Sequence, residues 1–141
     1  MAQNVQICEI SSEAKESIKN FRFRKDTTNA ALILKVDPES HMVYVDEELN
    51  DVQDVDELRA ELPEHQPRFI IYSCRMDHSD GRVSYPMVFI FSTPKDAKPQ
   101  LQMMYAGSKL SLVKEVELTK VYEIRELEEL TDEWLVEKLQ K

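Results

Sequence analysis

Residues 101–116, Leu-Gln-Met-Met-Tyr-Ala-Gly-Ser-Lys-Leu-Ser-Leu-Val-Lys-Glu-Val, decide how the rest of the chain can be arranged. Pro99 precedes them, and proline is favoured in the first turn of a helix because its fixed φ suits that position. The apolar residues then recur at the spacing of a core-facing helical stripe. This inner face consists of Leu101, Met104, Tyr105, Ser108, Leu112 and Val116. The sequence therefore predicts a long helix packed on a core.

The opposite face of this helix is apolar, although a solvent-exposed face is usually charged. It carries Met103, Ala106, Gly107, Leu110 and Val113, with Gln102 and Lys114 as its polar members. A glycine inside a helix costs about 1 kcal/mol relative to alanine, which suggests that something approaches the backbone closely at Gly107. Two interpretations stay open: a docking surface for another protein, or a face covered by another segment of this chain.

The composition fits a single domain that spans residues 1–141. Hydrophobic residues make up 42% of the chain, which excludes a disordered protein. No run reaches the roughly 20 apolar residues of a membrane span, and the N-terminus lacks the pattern of a secretion signal. Cys8 and Cys74 are too few for a disulfide scaffold and lack the CxxC spacing of a zinc or redox site. We therefore expect a cytoplasmic protein with two plain thiols.

The charge of the chain is unevenly distributed. The formal net charge of -9 argues against nucleic-acid binding, because phosphate contacts need a basic surface. Residues 37–64 hold eleven acids and one base, a net charge of -10, and residues 115–141 hold nine acids and four bases, a net charge of -5. Solvation alone accounts for these acidic segments. The long helix and its flanking strands form the relatively basic part, to which an acidic partner would be steered.

Two pairs of strands are predicted before the long helix. Residues 30–36 and 42–47 are joined by a tight turn with Pro38 at its second position. Residues 68–76 and 83–91 form the second pair, joined through Asp80-Gly81, which supplies the positive φ of a hairpin turn. The apolar runs of this second pair do not alternate with polar residues, so both faces of the sheet should be buried. Pro86 lacks an N–H group, so its position should be unpaired or bulged.

Three further helices and a last strand complete the predicted fold. The helices are expected from Ser12 to Asn20, around residues 55–62, and after the N-cap residue Thr131. Residues 121–124 should form a strand parallel to the strand before the long helix, because a strand, a helix and a strand make a crossover unit. The predicted fold class is α/β, a five-stranded mixed sheet sandwiched between helices on both faces.

The chain lacks the usual sequence patterns of catalysis. Gly81 and Gly107 are its only glycines, so there is no glycine-rich phosphate cradle. His41, His65 and His78 are scattered and lack the short spacing of a helical metal pair. A spatial triad leaves no dependable mark in a sequence. We nevertheless expect no enzyme activity, no metal and no cofactor, and function must then reside in surfaces.

Residues 21–25, Phe-Arg-Phe-Arg-Lys, alternate aromatic with basic side chains. One interpretation is an edge that attracts an acidic partner. The other places both rings in the core and the cations in solvent. The sequence alone leaves both open.

Two adjacent motifs resemble the actin-depolymerising factor homology family, to which the cofilins belong. These are Val88-Phe89-Ile90-Phe91-Ser92-Thr93-Pro94 and Gln102-Met103-Met104-Tyr105-Ala106-Gly107-Ser108-Lys109. Further stretches resemble one branch of that family and extend the likeness over nearly the whole chain: residues 21–25, 61–64, 66–69, 80–86 and 117–120. The resemblance implies a five-stranded mixed sheet between two pairs of helices and no catalysis.

The resemblance to this branch also implies a partner. It implies binding to the actin-related protein 2/3 complex, chiefly at actin-related protein 2, with release of filament branches, inhibition of new nucleation and possible contact with actin at the branch junction. The start of the long helix would enter a cleft of the actin-like partner through Gln102, Met103, Ala106, Gly107, Leu110 and Lys114. A second partner surface would comprise His78, Asp80, Arg82, Glu133 and Glu137. We expect a monomer of the cytoplasmic actin cytoskeleton with no membrane partner.

Two other functions compete with this one. Direct binding and severing of actin filaments, as in cofilins, is disfavoured because Gln100 and Gln102 stand where cofilin-like helices carry lysines. The chain also departs from cofilins near its N-terminus, where Gln3 stands at the position of their regulatory serine and the first serine is Ser11. This departure disfavours a cofilin-like phosphorylation switch. A secreted or kinase-regulating signalling factor has no support, because neither an export signal nor a disulfide framework is present.

Overall fold

The computed structural model describes residues 9–24, 28–117 and 120–139, and the structural statements below concern these residues. Cys8, Gln3 and Lys25 lie outside them. The strands are β1 (Glu9–Ile10), β2 (Asn29–Asp37), β3 (Met42–Val52), β4 (Arg68–Ser73), β5 (Met76–Asp77), β6 (Val83–Ser84), β7 (Met87–Ser92) and β8 (Val121–Ile124). The helices are α1 (Ser12–Arg22), α2 (Val55–Ala60), α3 (Pro99–Val116) and α4 (Asp132–Leu139), with a short 3-10 turn at Leu127–Glu129.

A mixed sheet with the strand order β1-β3-β2-β4-β7-β8 forms the centre of the fold. The strand β8 runs parallel to β7, as the crossover through α3 predicts. The sheet has six strands because β1, which was not predicted, pairs in parallel with Met42 and Val43. Two residues are too few to carry a periodic pattern, so this strand could not be recognised from the sequence.

Each face of the sheet is covered by one pair of helices. On one face, α1 and α3 pack on a cluster that includes Leu32, Phe69 and Phe89. On the other, α2 and α4 pack on Ile33, Ile70 and their neighbours. Because successive side chains of a strand point to opposite faces, the unbroken apolar runs of β4 and β7 supply both clusters. The prediction that both sheet faces are buried is confirmed.

The second predicted hairpin is interrupted at its middle. Residues 68–76 and 83–91 were each expected to form one strand, and both predictions are wrong in extent. The ladder between β4 and β7 stops at Ser73 and Met87, and β5 pairs with β6 as a separate two-stranded sheet. Pro86 lies at the break, where its carbonyl accepts a hydrogen bond from the Cys74 N–H (3.2 Å). A residue without an N–H group is suited to this unpaired position.

The strand β3 extends to Val52, beyond the predicted end at Glu47. Its register with β2 shifts twice, so Asp46 and Asp51 are each an extra residue on the β3 side. Among the described residues, β1 is the strand that pairs with its outer edge, and it covers only Met42 and Val43. The rest of this outer edge therefore carries two bulges.

Tyr105 connects the long helix to the sheet through a buried hydrogen bond. The Val36 N–H donates to the Tyr105 hydroxyl oxygen (2.9 Å), and the tyrosine side chain is almost fully buried. Removing the hydroxyl leaves a buried N–H without an acceptor, which costs about 1–3 kcal/mol. We expect Tyr105→Phe to lower the free energy of unfolding by this amount in urea denaturation. Tyr85→Phe, at a half-exposed ring on the β6–β7 link, is the control and should change little.

Candidate protein-binding surface

The outer face of α3 is exposed apolar surface. The side chain of Met103 is 62% exposed and that of Leu110 is 66% exposed. Ala106 lies exposed between them, Gly107 is half-buried, and Lys114 continues the same face one turn further on. Since both large side chains are exposed, the interpretation that another segment of this chain covers the face is wrong for the described residues. Val113, predicted on this face, instead packs partly buried against the core.

The inner face of α3 holds the helix in one position. Met104, Tyr105, Leu112 and Val116 are buried, as their spacing predicts. Ser108 is buried as well, and its hydroxyl donates to the Met104 carbonyl (2.8 Å). The outer face is therefore presented by a helix whose inner face is buried from Met104 to Val116.

The N-terminal end of α3 is linked to the segment before it by Gln102. The side-chain amide of Gln102 donates to the Ala97 carbonyl oxygen (2.6 Å) and, at longer range, to the Lys95 carbonyl oxygen (3.4 Å). The N-cap residue Lys98 makes no side-chain capping hydrogen bond. Gln102 was predicted to contact a partner. That role stays a prediction, and the structure also gives its amide two acceptors within the chain.

The residues predicted as a second partner surface lie on the β5–β6 hairpin and on α4. In the hairpin, His78 Nε2 lies 2.8 Å from Ser84 Oγ. The backbone N–H and the guanidinium of Arg82 both donate to the Asp80 carboxylate, and these hydrogen bonds lower the pKa of Asp80. Gly81 has a φ of 91°, as the predicted turn requires. Glu133 and Glu137 are exposed on α4, one turn apart.

The start of α4 lies beside the base of that hairpin. Burial raises the pKa of the Cys74 thiol to about 11, and the nearby carboxylate of Asp132 adds to this effect. Cys74 directly follows β4, and Asp132 is the first residue of α4. Cys74, just before the hairpin, and Leu135 of α4 belong to the same core cluster, which the sequence could not indicate.

The Cys74 pKa predicts how stability changes at alkaline pH. Below about pH 9, the ordinary pKa of the thiol, both folded and unfolded chains keep the proton. Between about pH 9 and pH 11 the unfolded chain loses it while the folded chain retains it, so the folded state is progressively disfavoured. We expect the free energy of unfolding to fall more steeply in the wild type than in Cys74→Ala, by at most about 1.4 kcal/mol per pH unit. Urea titrations of both proteins at pH 8, 9.5 and 11 measure this difference, and equal slopes would contradict it.

The aromatic-basic stretch at the end of α1 divides between core and solvent. Phe21 is buried, whereas Phe23 is 65% exposed with the Arg22 guanidinium 5.4 Å from its ring centroid. The interpretation with both rings in the core is therefore wrong for Phe23. The helix ends at Arg22, so Phe23 lies just beyond the buried stripe of α1 that ends with Phe21.

A cleft of about 880 Å³ is lined in part by the segment that precedes α3 and was not predicted. Its walls come from the end of α2 and from residues 64–65, 94–96 and 125–128. Two contacts link these segments: His65 Nδ1 lies 2.6 Å from Asp96 Oδ2, and the Lys95 ammonium lies 2.9 Å from the Glu126 carboxylate. Because three segments that are far apart in the sequence build it, no local sequence pattern could have indicated this cleft.

Two other kinds of site are absent from the part of the chain that the structure describes. Within residues 9–24, 28–117 and 120–139, no group of three or more His, Cys, Asp or Glu side chains could hold a metal ion. In the same residues, no helix is both long and apolar enough to cross a membrane. The exposed face of α3 is therefore the feature of the described chain that most needs a functional explanation.

Comparisons with known proteins identify the family. The family model described as "Cofilin/tropomyosin-type actin-binding protein" matches residues 7–140. Human glia maturation factor beta is 55% identical to this chain over 139 residues, which cover 99% of this chain and 97% of that protein. The chain belongs to the cofilin family, in its glia maturation factor branch. The glia maturation factor of Drosophila melanogaster is 59% identical over 134 residues, covering 95% of this chain and 96% of that protein.

The structural comparison agrees with this assignment. The solution structure of glia maturation factor from Caenorhabditis elegans is 46% identical and has a TM-score of 0.82 to this chain, covering 98% of this chain and 99% of that one. The family resemblance and the fold class inferred from the sequence are thereby confirmed, apart from the additional short strand β1. The chain is accordingly an actin-regulatory protein of the cofilin family.

Proposed function

We propose that this protein binds the actin-related protein 2/3 complex, hereafter the branching complex, and releases branches from actin filaments while inhibiting new nucleation. The observation that carries the proposal is the exposure of Met103 and Leu110 on a helix whose other face is buried from Met104 to Val116. Large apolar side chains on a rigid helix favour insertion into a groove of a partner. The proposed contact is chiefly with actin-related protein 2, through the outer face of α3.

Three features of this face suit a protein partner. Methionine adapts its shape to an irregular groove. The small residues Ala106 and Gly107 let a partner approach the helix backbone closely. Lys114 is exposed at the end of the face, and residues 67–114 carry a net charge of +4 from seven bases and three acids. An acidic rim on the partner would therefore be attracted to this side of the otherwise acidic protein.

Debranching follows if the protein binds one state of the branch junction better than another. A ligand shifts an equilibrium only through its difference in affinity for the two states. The second surface, on the β5–β6 hairpin and α4, would supply this difference by contacting another subunit or the first daughter actin. Its residues are His78, Asp80, Arg82, Glu133 and Glu137. We place this activity in the cytoplasm, in a monomer that acts without a cofactor and without catalysis.

The test is a direct comparison of partners. The purified protein is titrated against the branching complex and, separately, against unbranched actin filaments in a co-sedimentation assay. Preferential binding to the branching complex, together with faster loss of branches in filament microscopy, is the expected result. Binding to unbranched filaments with severing, and no effect on branches, would replace the proposal with a cofilin-like function.

A further inference from the structure

We propose that Gln102 is a positioning residue: its side-chain amide fixes residues 94–98 against the start of α3 and so sets the orientation of the partner-binding face. This inference rests on the proposed function. It differs from the sequence-based expectation that Gln102 contacts the partner itself. The distinction is testable because a positioning role requires a hydrogen-bond donor at this position.

The geometry of residues 94–98 supports this role. The Ala97 N–H donates to the Pro94 carbonyl (3.1 Å), and Ala97 is buried, so this segment forms a turn closed by its own backbone. The carbonyl of the same Ala97 accepts from Gln102 Nε2 at 2.6 Å. The amide of Gln102 therefore joins the first turns of α3 to this segment from the helix side.

The start of α3 offers little else to hold that segment. The N-cap Lys98 makes no side-chain capping bond, Pro99 has no N–H group, and the first turn contains no acidic residue. The backbone contributes one further bond, from the Gln102 N–H to the Lys98 carbonyl (3.0 Å). Both the backbone and the side chain of Gln102 thus hold residues 95–98, and Met103 is the next residue of the chain. A shift at the start of the helix would move Met103 directly.

Residues 94–98 also make an ion pair with another part of the chain. The Lys95 ammonium lies 2.9 Å from the Glu126 carboxylate, on the connection between β8 and α4. This pair is exposed on both sides, so it contributes little by itself. The half-buried amide of Gln102 is the better protected of the two links.

Three substitutions separate positioning from direct contact. Gln102→Lys keeps a donor that can reach the two carbonyl oxygens. Gln102→Met keeps the approximate size but has no donor, and Gln102→Glu places a carboxylate against two carbonyl oxygens. Gln100→Glu is the matched control, because Gln100 is an exposed glutamine of the same helical turn. It adds the same charge two residues away.

The first measurement uses the free protein. Hydrogen exchange followed by mass spectrometry reports the protection of residues 94–102. We expect exchange at least about tenfold faster in Gln102→Met and Gln102→Glu, with Gln102→Lys and Gln100→Glu close to wild type. Unchanged exchange in Gln102→Glu would overturn the inference.

The second measurement is affinity for the branching complex. Loss of one to two hydrogen bonds predicts an affinity about threefold to tenfold lower for Gln102→Met, with rescue in Gln102→Lys. A Gln102→Lys protein as weak as Gln102→Met would show direct contact with the partner and overturn the positioning role. Retained binding by Met103→Asp would overturn the assignment of the outer face of α3 as the binding surface, and failure of the wild type to bind would overturn the proposed function. Binding lost in Met103→Asp but unchanged in Gln102→Met would overturn this inference alone.

Discussion

A Met103→Asp protein is expected to fold normally and to bind the branching complex at least about 30-fold more weakly than the wild type. Met103 is 62% exposed, so the new carboxylate remains in water in the free protein and disturbs no core contact. In the proposed complex, the same carboxylate would be buried in an apolar groove without a partner. Truncation of a central interface residue costs about 2 kcal/mol or more, and a buried charge costs at least as much. Titration of labelled protein against the branching complex measures the loss.

Phe23→Asp is the control for this experiment. Phe23 is an equally exposed apolar residue, but it lies at the end of α1, outside both proposed surfaces. The control should therefore bind and debranch as the wild type does. If Met103→Asp is folded and debranches normally, the outer face of α3 is not the binding surface.

Phe69→Ala is expected to have the largest effect on stability, a loss of about 3–5 kcal/mol. The ring of Phe69 is fully buried in β4, and its centroid lies 5.1–5.7 Å from those of Phe89, Phe91 and Tyr105. Removing it leaves a cavity between the sheet and α3, and the cost includes both the lost burial and this cavity. Denaturant unfolding monitored by circular dichroism measures the change.

Phe23→Ala provides the comparison at the same residue type. Because 65% of that side chain is exposed, its removal should change the free energy of unfolding by less than about 1 kcal/mol. Similar losses in the two variants would mean that burial does not set the cost, and would contradict the assignment of Phe69 to the core.

Periodicity predicted the helices and strands in which one residue pattern persists over several helical turns or several strand residues. Both faces of α3 could be separated because inner and outer residues recur over four turns. The parallel β7–β8 pair followed from the crossover rule. In contrast, β1 and the break at Pro86 depend on pairing with distant segments. Local patterns do not contain that information.

The candidate site was predictable in composition but not in detail. The exposed apolar residues Met103 and Leu110 were found because they conflict with the usual polarity of an outer helix face. The hydrogen bond from the Gln102 side chain to the Ala97 carbonyl oxygen was not predicted, since it depends on the direction of that carbonyl group in the fold. The exposure of Phe23 depends on where α1 ends, and helix ends are the least predictable part of a helix. The electrostatic effect of Asp132 on Cys74 could not be predicted either, because the two residues are 58 positions apart in the sequence.

The two bulges in β3 have a consequence for behaviour at high concentration. A long, flat strand at the border of a sheet can recruit the same strand from another molecule and start ordered aggregation. Here the register shifts at Asp46 and Asp51 leave only a short regular run between them, and Glu47 and Glu48 place like charges on any two copies that approach along it. Intermolecular strand pairing along this border is therefore opposed by both shape and repulsion, so we expect a concentrated solution of the protein not to seed fibrils through β3.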